Sequence, residues 1–303
     1  MSKYAPVALF AYGRPEHTRM TVESLAANEL AEETKVFIFS DAARSEKDFE
    51  AVNAVRRYLR GIKGFHDVNV VERSRNYGLA DSIVEGITSV IEAHGKVIVL
   101  EDDIVTSPFF LRYMNDALDR YESVERVMHI AGYMMPIDFP SGAVSESVFL
   151  RHSSCWGWAT WGRAWRHFHR NAETFIKAFT STDRGRFNLD GAHDYWSQLL
   201  ANHEGRLKTW AIYWYASIFS RGGLCLHPRS SLVRNIGFDG SGVNCGTDSA
   251  WCSELGTSPV SQFPSAYHED EVAMEAVKRS LQGKSHTSVV AGLLRSIKAY
   301  VTR

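Results

Sequence analysis

Three consecutive carboxylates, Glu101-Asp102-Asp103, follow the apolar run Lys96 to Leu100. Acids gathered at the mouth of a buried strand repel one another, and each prefers to be neutral unless a cation or donors are present. A divalent ion resolves that repulsion. Mg2+ and Mn2+ take oxygen ligands, and one or two carboxylates plus substrate phosphates form a common set. An acidic turn capping a helix that starts near Pro108 would explain the same residues without a ligand. We read the triplet as a metal-diphosphate site because of where it stands in the chain.

Other polar residues fall at comparable places. Tyr12-Gly13-Arg14-Pro15 follows the run Val7 to Ala11, and Ser40-Asp41 closes the run Val36 to Ser40. A carboxylate at Asp41 suits a base imide or ribose hydroxyl, while Arg14 and Arg75 offer forked donors to phosphate or base. Each alone is equally explained by a surface charge or a helix cap. Asn235-Ile236-Gly237-Phe238-Asp239-Gly240-Ser241-Gly242 is glycine-rich, so its backbone donors suit a diphosphate, and Asp239 is a candidate addition to a metal shell. Ordinary turn chemistry accounts for the glycines as well. His268-Glu269-Asp270 opens a helix, where the macrodipole explains the acids.

The elements that must position these groups show in the first 130 residues, where β-branched runs alternate with stretches of helical period. Strands are expected at Val7 to Ala11, Val36 to Ser40, Val68 to Val71 and Lys96 to Leu100. Helices are expected from Pro15, over Glu46 to Arg60, and along Leu79, Ile83, Ile87 and Val90. This rhythm predicts a mostly parallel sheet with helices on both faces, and ligands of such sheets bind at the carboxyl ends of the strands. All three polar positions then share one edge.

The second half differs. All eight tryptophans and all four cysteines lie between Cys155 and Cys252. Helices are expected there at Thr160 to Phe168, Asn171 to Phe179, His193 to His203 and Trp210 to Ser220, with no strand alternation. From Ala276 to Arg303 there is no acid, and Val290, Leu293, Leu294, Ile297 and Val301 share one helical face. This basic amphipathic tail is read either as a closing helix on the core or as a contact with a membrane surface or partner protein. The divisions expected are 1–135, a donor-binding half; 136–267, an acceptor-side half of the same domain; and 268–303, a helical tail.

Composition narrows the classes. With 45% hydrophobic and 23% charged residues the chain is that of a globular protein, and 34 Lys+Arg against 35 Asp+Glu give no excess of cations for nucleic acid. No signal peptide or spanning run is evident, and the cysteines form no CxxC pair, which suits buried thiols in a reducing compartment. A cytoplasmic location is expected, with the tail's contact at the inner membrane face as the alternative.

The segment Val97 to Leu111 resembles the Glu-Asp-Asp motif and its flanks in the β-1,2-N-acetylglucosaminyltransferase I group of GT-A glycosyltransferases. Ser74-Arg75-Asn76-Tyr77-Gly78-Leu79-Ala80 is similar to the Asn-x-Gly element that bacterial family-two glycosyltransferases place before their acidic motif. The resemblance covers roughly the first 135 residues. It implies a GT-A-type nucleotide-binding sheet followed by a Trp-rich acceptor-side region. Arg14 and Asp41 would flank the base and ribose, with Arg75, Asn76 and Glu101 also on the donor side. Asp102 would face the donor sugar or ribose, and Asp103 would contact Mn2+ or Mg2+.

Further on, Ser154-Cys155-Trp156-Gly157-Trp158-Ala159-Thr160-Trp161 resembles the Gly-Trp segment of the acceptor side. Aromatic rings stack on the apolar face of a sugar, so Trp156, Trp158 and Trp161 are candidate platforms, with core packing as the alternative. The related group carries its catalytic base in an acid-and-tryptophan segment, and His193-Asp194-Tyr195-Trp196 is the similar stretch. That points to Asp194, which could equally cap a helix, with Glu204 as the lesser candidate. The resemblance thus implies metal-assisted, inverting transfer of a hexosyl or N-acetylhexosaminyl group from a nucleotide-diphosphate donor, UDP-linked, to a glycan hydroxyl in polysaccharide biosynthesis. The rival readings are a sugar-nucleotide nucleotidyltransferase and a non-catalytic carbohydrate-binding protein.

Overall fold

The computed structural model describes residues 3–137, 139, 142, 144–240 and 251–282. Its first part alternates β1 (Val7–Ala11), α1 (Pro15–Ala26), β2 (Lys35–Ser40), α2 (Phe49–Leu59), β3 (Asp67–Glu72), α3 (Leu79–His94) and β4 (Lys96–Glu101). There follow β5 (Ile104–Thr106), α4 (Phe110–Arg120), β6 (Val127–Ala131), β7 (Ser147–Leu150), β8 (Trp158–Trp161) and α5 (Gly162–Trp165). Then come α6 (Ala172–Ala178), α7 (Ser181–Phe187), α8 (Tyr195–His203), α9 (Ala211–Ser220), β9 (Leu224–Pro228) and β10 (Val233–Asn235), and residues 271–282 form α10. Local chemistry sets several boundaries. Pro15 takes the first turn of α1, where a missing N–H costs nothing. Asn171, Thr180 and Asp194 cap α6, α7 and α8 with side-chain oxygens.

Eight strands form one sheet in the order β3-β2-β1-β4-β8-β6-β9-β7. β3, β2, β1 and β4 are mutually parallel, whereas β8 runs antiparallel to both β4 and β6, and β7 antiparallel to β9. The chain leaves β1 towards β2 and β3, then returns to place β4 on the other side of β1, so the order reverses between β1 and β4. Crevices at such reversals are where open α/β sheets bind ligands. A separate two-stranded ribbon joins β5 to β10, with Ile104 opposite Asn235.

β1 is buried along its whole length and β4 along all but its two end residues, yet their side chains still alternate between two cores. Val7 and Leu9 of β1, with Ile98 and Leu100 of β4, join α1, α2 and α4 through Leu25, Leu59 and Phe110. Ala8 and Phe10, with Val97 and Val99, join α3 and α9 through Ile83, Ile87 and Trp214. The period of two survives as a choice of core rather than as polarity. A third, mainly aromatic cluster ties α6 to α9 through Phe175, Phe179, Phe187 and Tyr215.

Two expectations for the second half are corrected. Trp158–Trp161 is a strand rather than the start of a helix to Phe168, because pairing with β4 and β6 on both sides overrides local preference. β7, β9 and β10 also fall where only helices were expected; at three to five residues, two of them fully buried, they show no polar alternation. α10 buries Ala273, Met274, Val277 and Leu281 in the first core. The expected apolar face from Val290 to Val301 lies outside the described residues. Cys225 is buried and Cys155 half-buried, but Cys252 is exposed, against the expectation of buried thiols. No helix among the described residues is long and apolar enough to cross a membrane.

Gly86 shows how closely α3 packs on the sheet: a methyl group there would stand 2.6 Å from the Phe10 ring and 3.0 Å from Phe39. Ala is the better helix former by about 1 kcal/mol, but overpacking a core costs about 1–3 kcal/mol. Gly86→Ala is therefore expected to lower the urea midpoint, and a midpoint above wild type would show that the interface yields.

Candidate active site

At the reversal between β1 and β4, the acidic triplet and the segment after β1 come together. Glu101 ends β4, and Asp102 and Asp103 occupy the tight turn into β5, both buried. Arg14, just before α1, forms ion pairs with both aspartates through Nη2, the one to Asp103 at 2.9 Å. Asp102 also accepts from the Tyr12 N–H at 3.2 Å, and its carbonyl accepts from the Thr21 hydroxyl at 2.9 Å. Burial works against the Arg14 cation, but the two carboxylates more than offset it and raise its pKa. Burial also raises Asp102, with Arg14 opposing. Glu101 is pushed up to about 8, chiefly by burial and then by the charges of Asp103 and Asp102.

The ribbon of β5 and β10 carries the glycine-rich segment onto this turn, where the Ile236 N–H donates to the Asp103 carbonyl at 2.9 Å. Gly237 lies against Asp103 Oδ2 so closely that any side chain would collide with it, and a Cβ there would stand 3.0 Å from Arg14 Nη1. Asp239 pairs with His17 Nε2 at 3.1 Å. Ser241 and Gly242 lie outside the described residues.

Of the other residues expected on the donor side, Asp41 and Asn76 hold the backbone. Asp41 accepts from the N–H groups of Tyr77 and Gly78, each at 2.9 Å, and so pins the start of α3. Asn76 donates to the Ala42 carbonyl at 2.7 Å, and the Arg75 guanidinium stands over the Tyr77 ring.

A cavity of about 510 Å³ opens beside the triplet. Glu101, Asp103 and the first residues of α3 line it, together with the aromatic residues Tyr133, Trp156, Phe238 and Trp251 and with His193, Tyr195, Lys208 and Trp210. Of the three candidate platforms only Trp156 faces this space, edge-on to Tyr133 and Phe238. Trp158 and Trp161 are core residues instead, for a reason of register. In β8 they point to opposite faces, Trp158 onto His129 and Trp210, and Trp161 towards Leu118, whose carbonyl its indole meets at 3.1 Å.

Asp194 caps α8, accepting from the Ser197 N–H at 3.0 Å and Asn188 Nδ2 at 3.2 Å, and these bonds hold its pKa low. Its neighbours His193 and Tyr195 line the cavity, and Asp194 itself does not. Glu204 is paired with Arg206 and does not line the cavity.

Three imidazoles that no spacing in the sequence marks also belong here: His152 and His227 line the cavity, and His129 is buried against Trp158. His129 takes a hydrogen bond from Trp214 Nε1 at 3.1 Å, so it is neutral and donates from Nε2 to the Ser154 carbonyl at 3.0 Å. Burial pushes it down to about 3. His152 and His227 stack with ring centres 5.0 Å apart, and burial lowers both.

The donor set does not match the expected divalent ion. Arg14 already spans Asp102 and Asp103, Asp239 is engaged by His17, and among the described residues no group of three or more His, Cys, Asp or Glu could hold a metal. These side chains do not offer a formed seat for Mn2+ or Mg2+.

No protein-family model matches the chain, and no curated protein matches it. Among solved structures, the mannosyltransferase PcManGT from Pyrobaculum calidifontis, in complex with GDP-Man and Mn2+, is similar at 10% identity and a TM-score of 0.36, covering 73% of this chain and 75% of that one. TarS from S. aureus is similar at 12% identity and a TM-score of 0.32, covering 47% of this chain. The match spans about a quarter of TarS, 24% of its length. Both are likenesses of fold at low score, and neither bears on what this chain does.

Two measurements follow from the packing. Trp158→Ala is expected to cost about 3–5 kcal/mol of stability and Trp156→Ala distinctly less, with urea midpoints as the measure; equal losses would put Trp156 in the core. The second concerns pH. His129, His152 and His227 stay neutral when folded but take up protons once unfolded, so the unfolded chain binds more protons below about 6.5 and stability falls on acidification. Glu101 and Asp102, raised in the fold, act in the opposite sense, but three imidazoles outweigh two carboxyls. The melting temperature is expected to fall from pH 6.5 to pH 5, and a rise would show that the imidazoles are charged in the native state.

Proposed function

We propose that this chain is a glycosyltransferase that moves a sugar from a nucleotide-diphosphate donor, UDP-linked, to a hydroxyl of a glycan, with inversion at the anomeric carbon. The observation that carries this reading is the acidic turn at the sheet's reversal point opening onto a cavity with an aromatic wall. A diphosphate needs cationic and N–H donors, and Arg14 with the start of α3 lies at that edge. A sugar needs hydrogen-bonding groups on its rim and an apolar surface on its face, which Glu101 and Trp156 offer in the cavity lining.

Each residue then has a chemical task. Burial and the charges of Asp103 and Asp102 favour the protonated form of Glu101, which suits it to donate to a sugar oxygen. Trp156 packs against the acceptor ring. The acceptor's proton goes to the start of α8, to the Asp194 carboxylate or to the His193 imidazole beside it, which faces the cavity. No step is routed through a divalent ion, because Arg14 already occupies the carboxylates that would hold one.

The test is turnover of UDP-glucose, UDP-galactose, UDP-N-acetylglucosamine and GDP-mannose with simple glycosides, read as nucleoside diphosphate release. Release that depends on the glycoside supports transfer. Pyrophosphate release from a nucleoside triphosphate and a sugar phosphate would replace this reading by nucleotidyl transfer. Glycan binding with no response to any nucleotide would replace it by a carbohydrate-binding role. In an active enzyme, Asp194→Asn or His193→Gln, whichever removes the base, is expected to lower kcat by about 100-fold or more with little change in donor KM; normal rates in both would move the base elsewhere.

A further inference from the structure

The surroundings of Arg14 lead beyond that reading while resting on its donor site. Arg14 reaches both aspartates through a single nitrogen, Nη2, and among the described residues nothing accepts from its Nε or Nη1. The side chain is 22% exposed, against 6% and 8% for Asp102 and Asp103. Position 237 lies close to Nη1, where a Cβ would stand 3.0 Å away, and as glycine it adds no side chain of its own there. An arginine held through one nitrogen by two buried carboxylates, itself partly exposed and with its other N–H groups unclaimed by the described residues, is suited to receive an anion.

We propose that Arg14 is the resident cation of this site: fixed by Asp102 and Asp103, it presents Nε and Nη1 to the diphosphate of a nucleotide, in the role otherwise given to a divalent ion. The two aspartates are then clamps on Arg14 rather than metal ligands. Its permanent charge and planar donors stabilise the negative charge that gathers on the departing diphosphate. A metal ion entering here would have to strip Arg14 of both partners and leave a half-buried cation uncompensated, which is costly.

Calorimetric titration of the full chain with UDP and with GDP, in EDTA and in Mn2+, tests this. Wild type is expected to bind one of them in EDTA, with Mn2+ changing the Kd by less than about threefold. Arg14→Gln is expected to weaken that binding by roughly 10- to 100-fold in EDTA. By releasing the aspartates, it should also acquire Mn2+ binding that wild type lacks, read by the loss of free-Mn2+ signal in electron paramagnetic resonance. If Arg14→Gln does not fold, Arg14→Lys, which keeps the charge without the fork, is expected to lose part of the affinity. Nucleotide binding by wild type only when Mn2+ is present would overturn the inference and leave the donor site standing. Binding of neither nucleotide under either condition would remove the donor site itself.

Discussion

Two buried carboxylates at the end of a central strand are the constraint on which this architecture turns. Taken from water without a partner, each would be several kcal/mol too costly to keep charged, on the order of the penalties found for buried ions. Arg14 supplies the compensation, and much of the nearby chain serves to bring it there. Pro15 sets the first turn of α1 directly behind it, β1 delivers it beside β4, and Tyr12 and Thr21 satisfy atoms of Asp102 that Arg14 does not reach. The reversal of strand order between β1 and β4 is what makes the pairing possible, since residues 88 apart in sequence then end neighbouring strands.

The second half of the chain gives this polar edge a cavity. β5 and β10 form a ribbon that returns the segment from Asn235 to the acidic turn, and α8 and α9 add Tyr195, Gln198, Ala211 and Ile212 to the lining. Under the cavity, Trp158 stacks against His129 and Trp210, while Trp210 itself reaches the lining. The floor is thus rigid aromatic packing, and the groups exposed above it, Trp156, His193 and Glu101, stand on elements whose positions that packing sets.

What could be read from the sequence follows how local each signal is. β1 to β4 and the helices between them announce themselves through runs and periods within a few residues, and their shared polar edge follows from parallel topology. The acidic triplet was visible as a cluster, but its partner was not: nothing local says that Arg14 is spent on Asp102 and Asp103. Asp41 looked like a ligand and is occupied in holding the start of α3. The tryptophans at 156, 158 and 161 form one motif in sequence, and only the pairing of β8 on both sides separates the wall residue from the two in the core. Tyr133, Phe238 and Trp251 meet Trp156 from distant segments, so no spacing rule could have collected them.

The place of β8 also shapes how the chain comes together. Until residues 158–161 arrive, β4 presents an apolar strand with one unpaired edge, since its partner on that side lies about sixty residues later in the chain. An open, hydrophobic edge of this kind is a template for pairing with other chains. A nascent polypeptide ending anywhere between β4 and β8 therefore carries a sticky flank. Closing the sheet from β4 through β8 to β6 seals that flank and passes the open edge to β6, which keeps it until β9 is made about sixty residues further on.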